Sequence, residues 1–163
     1  MEKRKIPVLA IPAGYHGKLE PKTEFVFATD FKDINNWEIM NVFRLLAIKL
    51  EARINVYYVH DSDVDKDINE NQNFLFNDLE GYFEGLAVEL HQSSKTDVVE
   101  EVDKFAISHK ASLIMMIAHE RGWLSGLFHK SVTREMSLHT HVPFLSLPDK
   151  HLELNKSAEI SYW

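Results

Sequence analysis

Six consecutive apolar residues, Leu113-Ile-Met-Met-Ile-Ala118, constrain this chain more than any other feature. A strand that is apolar at every position must be covered on both faces, as the central strands of parallel sheets are. Parallel neighbours need long crossover connections, usually helical. The remaining sequence has that rhythm. Glu24 to Thr29 alternates and then runs apolar through Phe25, Val26, Phe27 and Ala28, a second buried strand. Met40, Phe43, Ala47 and Leu50 recur at helical spacing, so Asn36 to Ala52 is predicted as a helix packed on a sheet, with Asp33 or Asn35 as its cap. Ile54 to Val59 is rich in β-branched and aromatic residues and reads as a strand.

Further on, Asp61 to Asn73 is predicted as an acidic loop, Phe74 to Phe83 as a helix ending near Gly85, and Leu86 to Leu90 as a strand. Thr96 is placed as the cap of an amphipathic helix carrying Val98, Val102, Phe105 and Ala106 on one face. Ser131 opens another helix, and Pro143 to Leu147 is the last strand. Strands alternating with helices imply an α/β fold: an open, mainly parallel five-stranded sheet with helices on both faces.

Size and charge narrow the function classes. The 163 residues suffice for one compact core. A formal net charge of -7 disfavours non-specific binding to nucleic acid or to anionic membrane, both of which need a basic surface. No apolar run approaches the roughly 20 residues of a membrane span. Lys3, Arg4 and Lys5 before Ile6 to Ala13 resemble a secretion signal, but Pro7 and Pro12 interrupt the apolar part. There is no cysteine, which excludes disulfides and thiolate chemistry and agrees with a cytoplasmic location. Ile6-Pro-Val-Leu-Ala-Ile-Pro12 also resembles Val142-Pro-Phe-Leu-Ser-Leu-Pro148. This pattern suggests an extra N-terminal strand that needs a sheet edge, and the natural edge is Pro143 to Leu147, in the same chain or in a partner.

The stretch from Ser112 to Leu147 is similar to the strand–loop–helix–strand end of a universal stress protein domain. That resemblance implies a Rossmann-like fold of the adenine nucleotide alpha hydrolase type, with the five-stranded order 3-2-1-4-5. It also implies an ATP site whose phosphate loop reads Gly-x-x-Gly, nine residues, then Gly-Ser or Gly-Thr. Here the three glycine positions carry Ile117, Glu120 and Lys130, and only Ser131 remains. Residue by residue, the resemblance assigns Asp30 to the adenine side, Val59 to the backbone facing the base, and Lys130, Ser131 and Val132 to the phosphate side. Asp30 as a turn residue and Ser131 as a plain helix cap stay open as alternatives. Because many members are tandem repeats, the resemblance also divides the chain. Residues 1-22 are a remnant last strand and linker of a preceding repeat, 23-148 the domain, and 149-163 a polar tail.

The substitutions argue against the usual triphosphate site. Glycine lets backbone N–H groups approach phosphate and permits positive φ. Ile117 adds a β-branched side chain, and Glu120 places a carboxylate where phosphate belongs. At an effective dielectric of about 20, two like charges 4 Å apart repel by roughly 4 kcal/mol before screening. Lys130, with Arg121 and Lys32, restores positive charge for an anion. Gly122 and Gly126 fall outside the cradle positions, in a loop bearing Trp123, Leu124, Leu127 and Phe128.

Other constellations fall short. His60, His119, His129, His139 and His141 supply no His-x-x-x-His pair, so no metal site is expected. Asp61, Asp63, Asp65 and Asp67 mimic a calcium loop, but Lys66 and Gln72 stand where glycine and glutamate are required. No catalytic triad or carboxylate pair stands out. The expected function is therefore a non-catalytic regulatory module with a degenerate ATP loop and no cofactor. It would act as a homodimer through its last-strand edge, or through an unknown protein partner or small ligand. The alternative is an ATP-binding switch that holds phosphate with side chains.

Overall fold

The computed structural model describes residues 6–29, 37–59, 70–94, 97–118 and 131–148. Six strands form one sheet: β1 (Val8–Ala10), β2 (Glu24–Thr29), β3 (Arg53–Val59), β4 (Val88–Ser93), β5 (Ala111–Ala118) and β6 (Phe144–Pro148). Their order is β1-β6-β5-β2-β3-β4. All neighbours are parallel except β1 and β6. The helices are α1 (Asn41–Leu50), α2 (Glu70–Tyr82), α3 (Val98–Ser108) and α4 (Ser131–His139), and a 3-10 turn (Trp37–Met40) leads into α1. The five parallel strands have the expected order.

Period-two alternation sorts the strand residues onto two faces. On one face Phe25, Phe27, Ile54, Val56, Leu113, Met115, Leu145 and Leu147 pack with Met40, Phe43 and Ala47 of the α1 region and Leu79 and Phe83 from α2 and its end. On the other, Val26, Ala28, Tyr57, Ile114, Met116 and Phe144 pack with Val98, Val102 and Ala106 of α3 and Met136 of α4. The phase of β5 is set at its start. Glu24 pairs with Ala111 but Phe25 pairs with Leu113, so one extra residue is accommodated there. Ser112, almost fully buried, lies at that irregularity, with its hydroxyl 2.6 Å from that of Thr23.

Four sequence expectations shift. The first helix begins with the 3-10 turn at Trp37 and is α-helical only from Asn41. The second starts at Glu70, a turn before Phe74. The strand predicted at Leu86 to Leu90 lies at Val88–Ser93, because β4 takes its register from β3, with Ile54 opposite Val88 and Val59 opposite Ser93. The cap of α3 is Asp97, whose Oδ1 accepts from Glu100 N at 3.0 Å; Thr96 lies outside the described residues. Asp33, Asn35 and the acidic stretch at 61–69 also lie outside them. Gly85 follows α2 at φ +89, a backbone angle that excuses it from having a side chain.

The N-terminal segment finds its edge in its own chain. Val8, Leu9 and Ala10 pair antiparallel with Ser146, Leu145 and Phe144. The outer edge of β6 is thereby occupied, and pairing two copies directly through β6 would require β1 to leave. Val8 and Leu9, on opposite faces of β1, are 51% and 54% exposed.

Two outcomes test this packing. Phe43 is fully buried, with its ring 5.4 Å from that of Phe25 and 5.9 Å from that of Phe83. Phe43→Ala should cost about 3–5 kcal/mol in urea unfolding. In hydrogen exchange, at least one amide of Val8 to Ala10 should be protected well beyond those of 14–20; uniform fast exchange would show that β1 does not hold β6.

Candidate functional site

In open α/β sheets a ligand crevice lies beyond the carboxyl ends of the strands, where successive crossovers leave in opposite directions. Here that point falls between β2 and β5, neighbours in register from Phe25–Leu113 to Ala28–Met116. The chain after β2 turns to the face covered by α1, and the chain after β5 to the face covered by α4. Thr29 ends β2, Val59 ends β3 beside it, and Ala118 ends β5. Ser131 and Val132 open α4, which descends antiparallel to the strands, so its amino end belongs to this same edge of the sheet.

Of the residues assigned to a nucleotide, the structure thus brings Val59, Ser131 and Val132 to one end of the sheet. Asp30 and Lys130 lie outside the described residues, as do Lys32, Glu120, Arg121 and the aromatic loop. Ile117 is described. It pairs with Leu147, and its side chain is partly buried against the first core cluster. A side chain that helps close the core therefore stands at a position the resemblance reserves for bare backbone.

Among the described residues no three metal-binding side chains converge. Of the expected histidines, His60, His119 and His129 are outside the description. His139 ends α4. His141 binds Asp103, Nδ1 to Oδ2 at 2.7 Å, while the other Asp103 oxygen accepts from His141 N at 2.8 Å and lies 3.1 Å from the Thr140 hydroxyl. This contact ties the end of α4 to α3. Among the described residues no helix is long and apolar enough to cross a membrane.

A polar line at mid-sheet escaped the sequence reading. Asn55, 1% exposed, donates from Nδ2 to Glu24 Oε2 at 2.8 Å and to Phe25 O at 3.3 Å, and its Oδ1 lies 3.0 Å from His91 Nε2. Asparagine within the apolar Ile54–Val59 run was the available signal, because a buried amide needs partners. Arg53 bridges Glu24 and Glu89 on the same side. A hollow of about 550 Å³ opens at the amino ends of β2, β3 and β4, lined by Lys22, Glu24, Glu51, Arg53 and Glu84 among others. It lies at the opposite edge of the sheet from the crevice at the strand carboxyl ends.

The fold and the crevice define a doubly wound α/β protein of the kind that places ligands at strand carboxyl ends. More narrowly, the chain has the fold of the universal stress proteins. It superposes on one from Archaeoglobus fulgidus DSM 4304 with a TM-score of 0.62 at 17% identity, over 87% of this chain and 49% of the other. The chain thus spans about half the length of that neighbour. A universal stress protein solved in complex with cAMP matches at TM-score 0.61 and 13% identity, over 80% of this chain and 100% of the other. A third, from Archaeoglobus fulgidus in complex with dAMP, gives 0.53 and 15%, over 77% and 97%. No protein-family model and no curated protein matches the sequence.

The His91 environment has a pH consequence. Burial, then the neighbouring His109, lower its pKa, and the weaker pull of Glu89 and Glu24 does not reverse this. The unfolded chain, titrating near 6.5, therefore takes up this proton first as pH falls. Stability should decline on acidification below about 6.5 until the folded-state value is passed, and then level off. His91→Gln, which keeps an N–H for Asn55, should lose less stability between pH 7.5 and 5 in urea titrations. An equal loss in both proteins would refute this assignment.

Proposed function

We propose that this chain is a universal stress protein-like regulatory module, cytoplasmic and non-catalytic, that does not hold ATP in the backbone cradle of its relatives. The observation that carries this reading is Ile117, at the end of β5 with its side chain against the core. Glu120 and Lys130 in the following loop point the same way on sequence grounds: an acidic residue opposes phosphate, and neither is glycine. Regulation then rests on association, with a second copy or a protein partner, rather than on turnover.

The surface for association is the β1 end of the sheet. Ile6, Val8, Leu9 and Ile11 are each more than half exposed there. Apolar exposure on both faces of this short edge strand is the feature that supports a contact here. In this reading β1 descends from the last strand of a preceding repeat and stands on β6 where another domain's strand would lie. The greater coverage of the double-length neighbour, 87% of this chain against 80% and 77% for the others, agrees with that origin. A homodimer would form by stacking on β1, not by direct pairing of two β6 strands.

A second reading is favoured by the nucleotides in the neighbours, cAMP in one and dAMP in another. Here Asp30, Val59, Lys130, Ser131 and Val132 would hold an adenine nucleotide through side chains. The two readings separate in a thermal-shift titration with Mg-ATP and, in parallel, dAMP. A ligand at a hundredfold its dissociation constant adds about 2.7 kcal/mol. We expect no shift at millimolar Mg-ATP, and a gain of binding in the triple variant Ile117→Gly, Glu120→Gly, Lys130→Gly. A shift in the unaltered protein that Asp30→Ala with Ser131→Ala abolishes would establish the second reading instead.

A further inference from the structure

Two histidines outside the crevice at the strand carboxyl ends lie close together. His91 lies on the edge strand β4, and His109 directly follows α3. Both pack on Phe105, whose ring stacks on His109 at 3.9 Å and on Tyr57 at 4.2 Å and tilts against His91 at 4.8 Å. The two imidazole centres are 5.5 Å apart.

Hydrogen bonds fix which nitrogen of each ring carries the proton. His109 Nδ1 is 2.9 Å from Phe105 O, an atom that can only accept, so Nδ1 holds the hydrogen and Nε2 is bare. The Ser108 hydroxyl donates its hydrogen to the same carbonyl at 2.8 Å, and its oxygen, 3.0 Å from His109 Nδ1, is then left to accept from that N–H. On the other side, the Asn55 amide is oriented by its donation to Glu24 Oε2 and Phe25 O, so Oδ1 faces His91 Nε2. His91 Nε2 must therefore be the N–H, and Nδ1 is bare. Metal-binding histidines commonly donate their second nitrogen to a carbonyl in just this way, which orients the ring and raises its basicity.

We propose that His91 Nδ1 and His109 Nε2 bind one borderline transition-metal ion, with Zn2+ as the reference case and water completing the shell. A zinc ion about 2.0–2.1 Å from each donor lies roughly 3 Å from each ring centre, so two rings sharing it at a tetrahedral angle have centres roughly 5 Å apart. The observed 5.5 Å is close to that separation. Imidazole pairs suit zinc, copper and nickel, whereas the hard cations prefer oxygen. The bound ion would clip the free edge of the sheet to the end of α3. Nothing in the linear sequence links these two residues; they meet because β4 and α3 pack through Phe105.

The chain has nine histidines, so the test must locate the ion. Calorimetric titration of the intact protein with ZnCl2 at pH 7.5 should saturate at one equivalent. His91→Gln and His109→Gln should each weaken the dissociation constant at least about tenfold. His141→Gln, on the Asp103 contact, should leave it within about twofold. His109 is exposed, so its variant remains informative even if the His91 variant is destabilised. Imidazole nitrogen shifts should report Nδ1–H on His109 and Nε2–H on His91 before zinc is added. Absence of binding at millimolar zinc, binding unchanged in both variants, or the opposite tautomers would overturn the proposal.

Discussion

Burial of the central parallel pair, β2 against β5, is the constraint from which the other features follow. Phe25, Phe27, Leu113 and Met115 face one side, and Val26, Ala28, Ile114 and Met116 the other. No such strand survives in water unless helices cover both faces, and parallel connections supply those helices. The opposite departures of the chain after β2 and after β5 open a crevice at their shared carboxyl end. That crevice is thus a consequence of covering the sheet, whatever it holds. This is why the fold alone does not settle a ligand.

What fills the crevice wall depends on residue choice at the last turns of the strands. A glycine at the end of β5 leaves room and accessible N–H groups; isoleucine at that place joins the core. The same position can serve ligand or packing, but a β-branched side chain commits it to packing. Here the side chain at the end of β5 contributes to core closure.

The sheet itself was legible because its signals are local and strong. Apolar runs gave β2 and β5, and β-branched and aromatic richness gave β3, each to within two residues, while helical spacing gave α1 and α3. The errors fell where tertiary register outweighs local pattern. Leu86 looks like strand, yet β4 begins at Val88 because β3 sets where pairing starts. Thr96 is an acceptable cap by type, yet the neighbouring Asp97 takes the bond. The hydrogen-bonded line from Glu24 through Asn55 to His91 joins three strands and was not readable, since no spacing rule connects residues brought together by sheet order. Of the candidate site, the residues at the positions that the resemblance gives to glycine were visible, and the packing of Ile117 against the core was not.

The two edges of the sheet are protected by different means, and this bears on how the molecule meets others. At β4, charged and polar side chains, Glu89, His91 and Gln92, interrupt the apolar pattern, which discourages strand addition. At β6, an apolar edge would invite it, and β1 occupies the place. But β1 is only three residues long, is flanked by Pro7 and Pro12, and leaves Val8 and Leu9 in water. Proline at either side removes donors that a further strand would need. The β1 end therefore resists extension of the sheet while still presenting apolar side chains. Such a surface favours partners that pack against side chains over partners that add a strand.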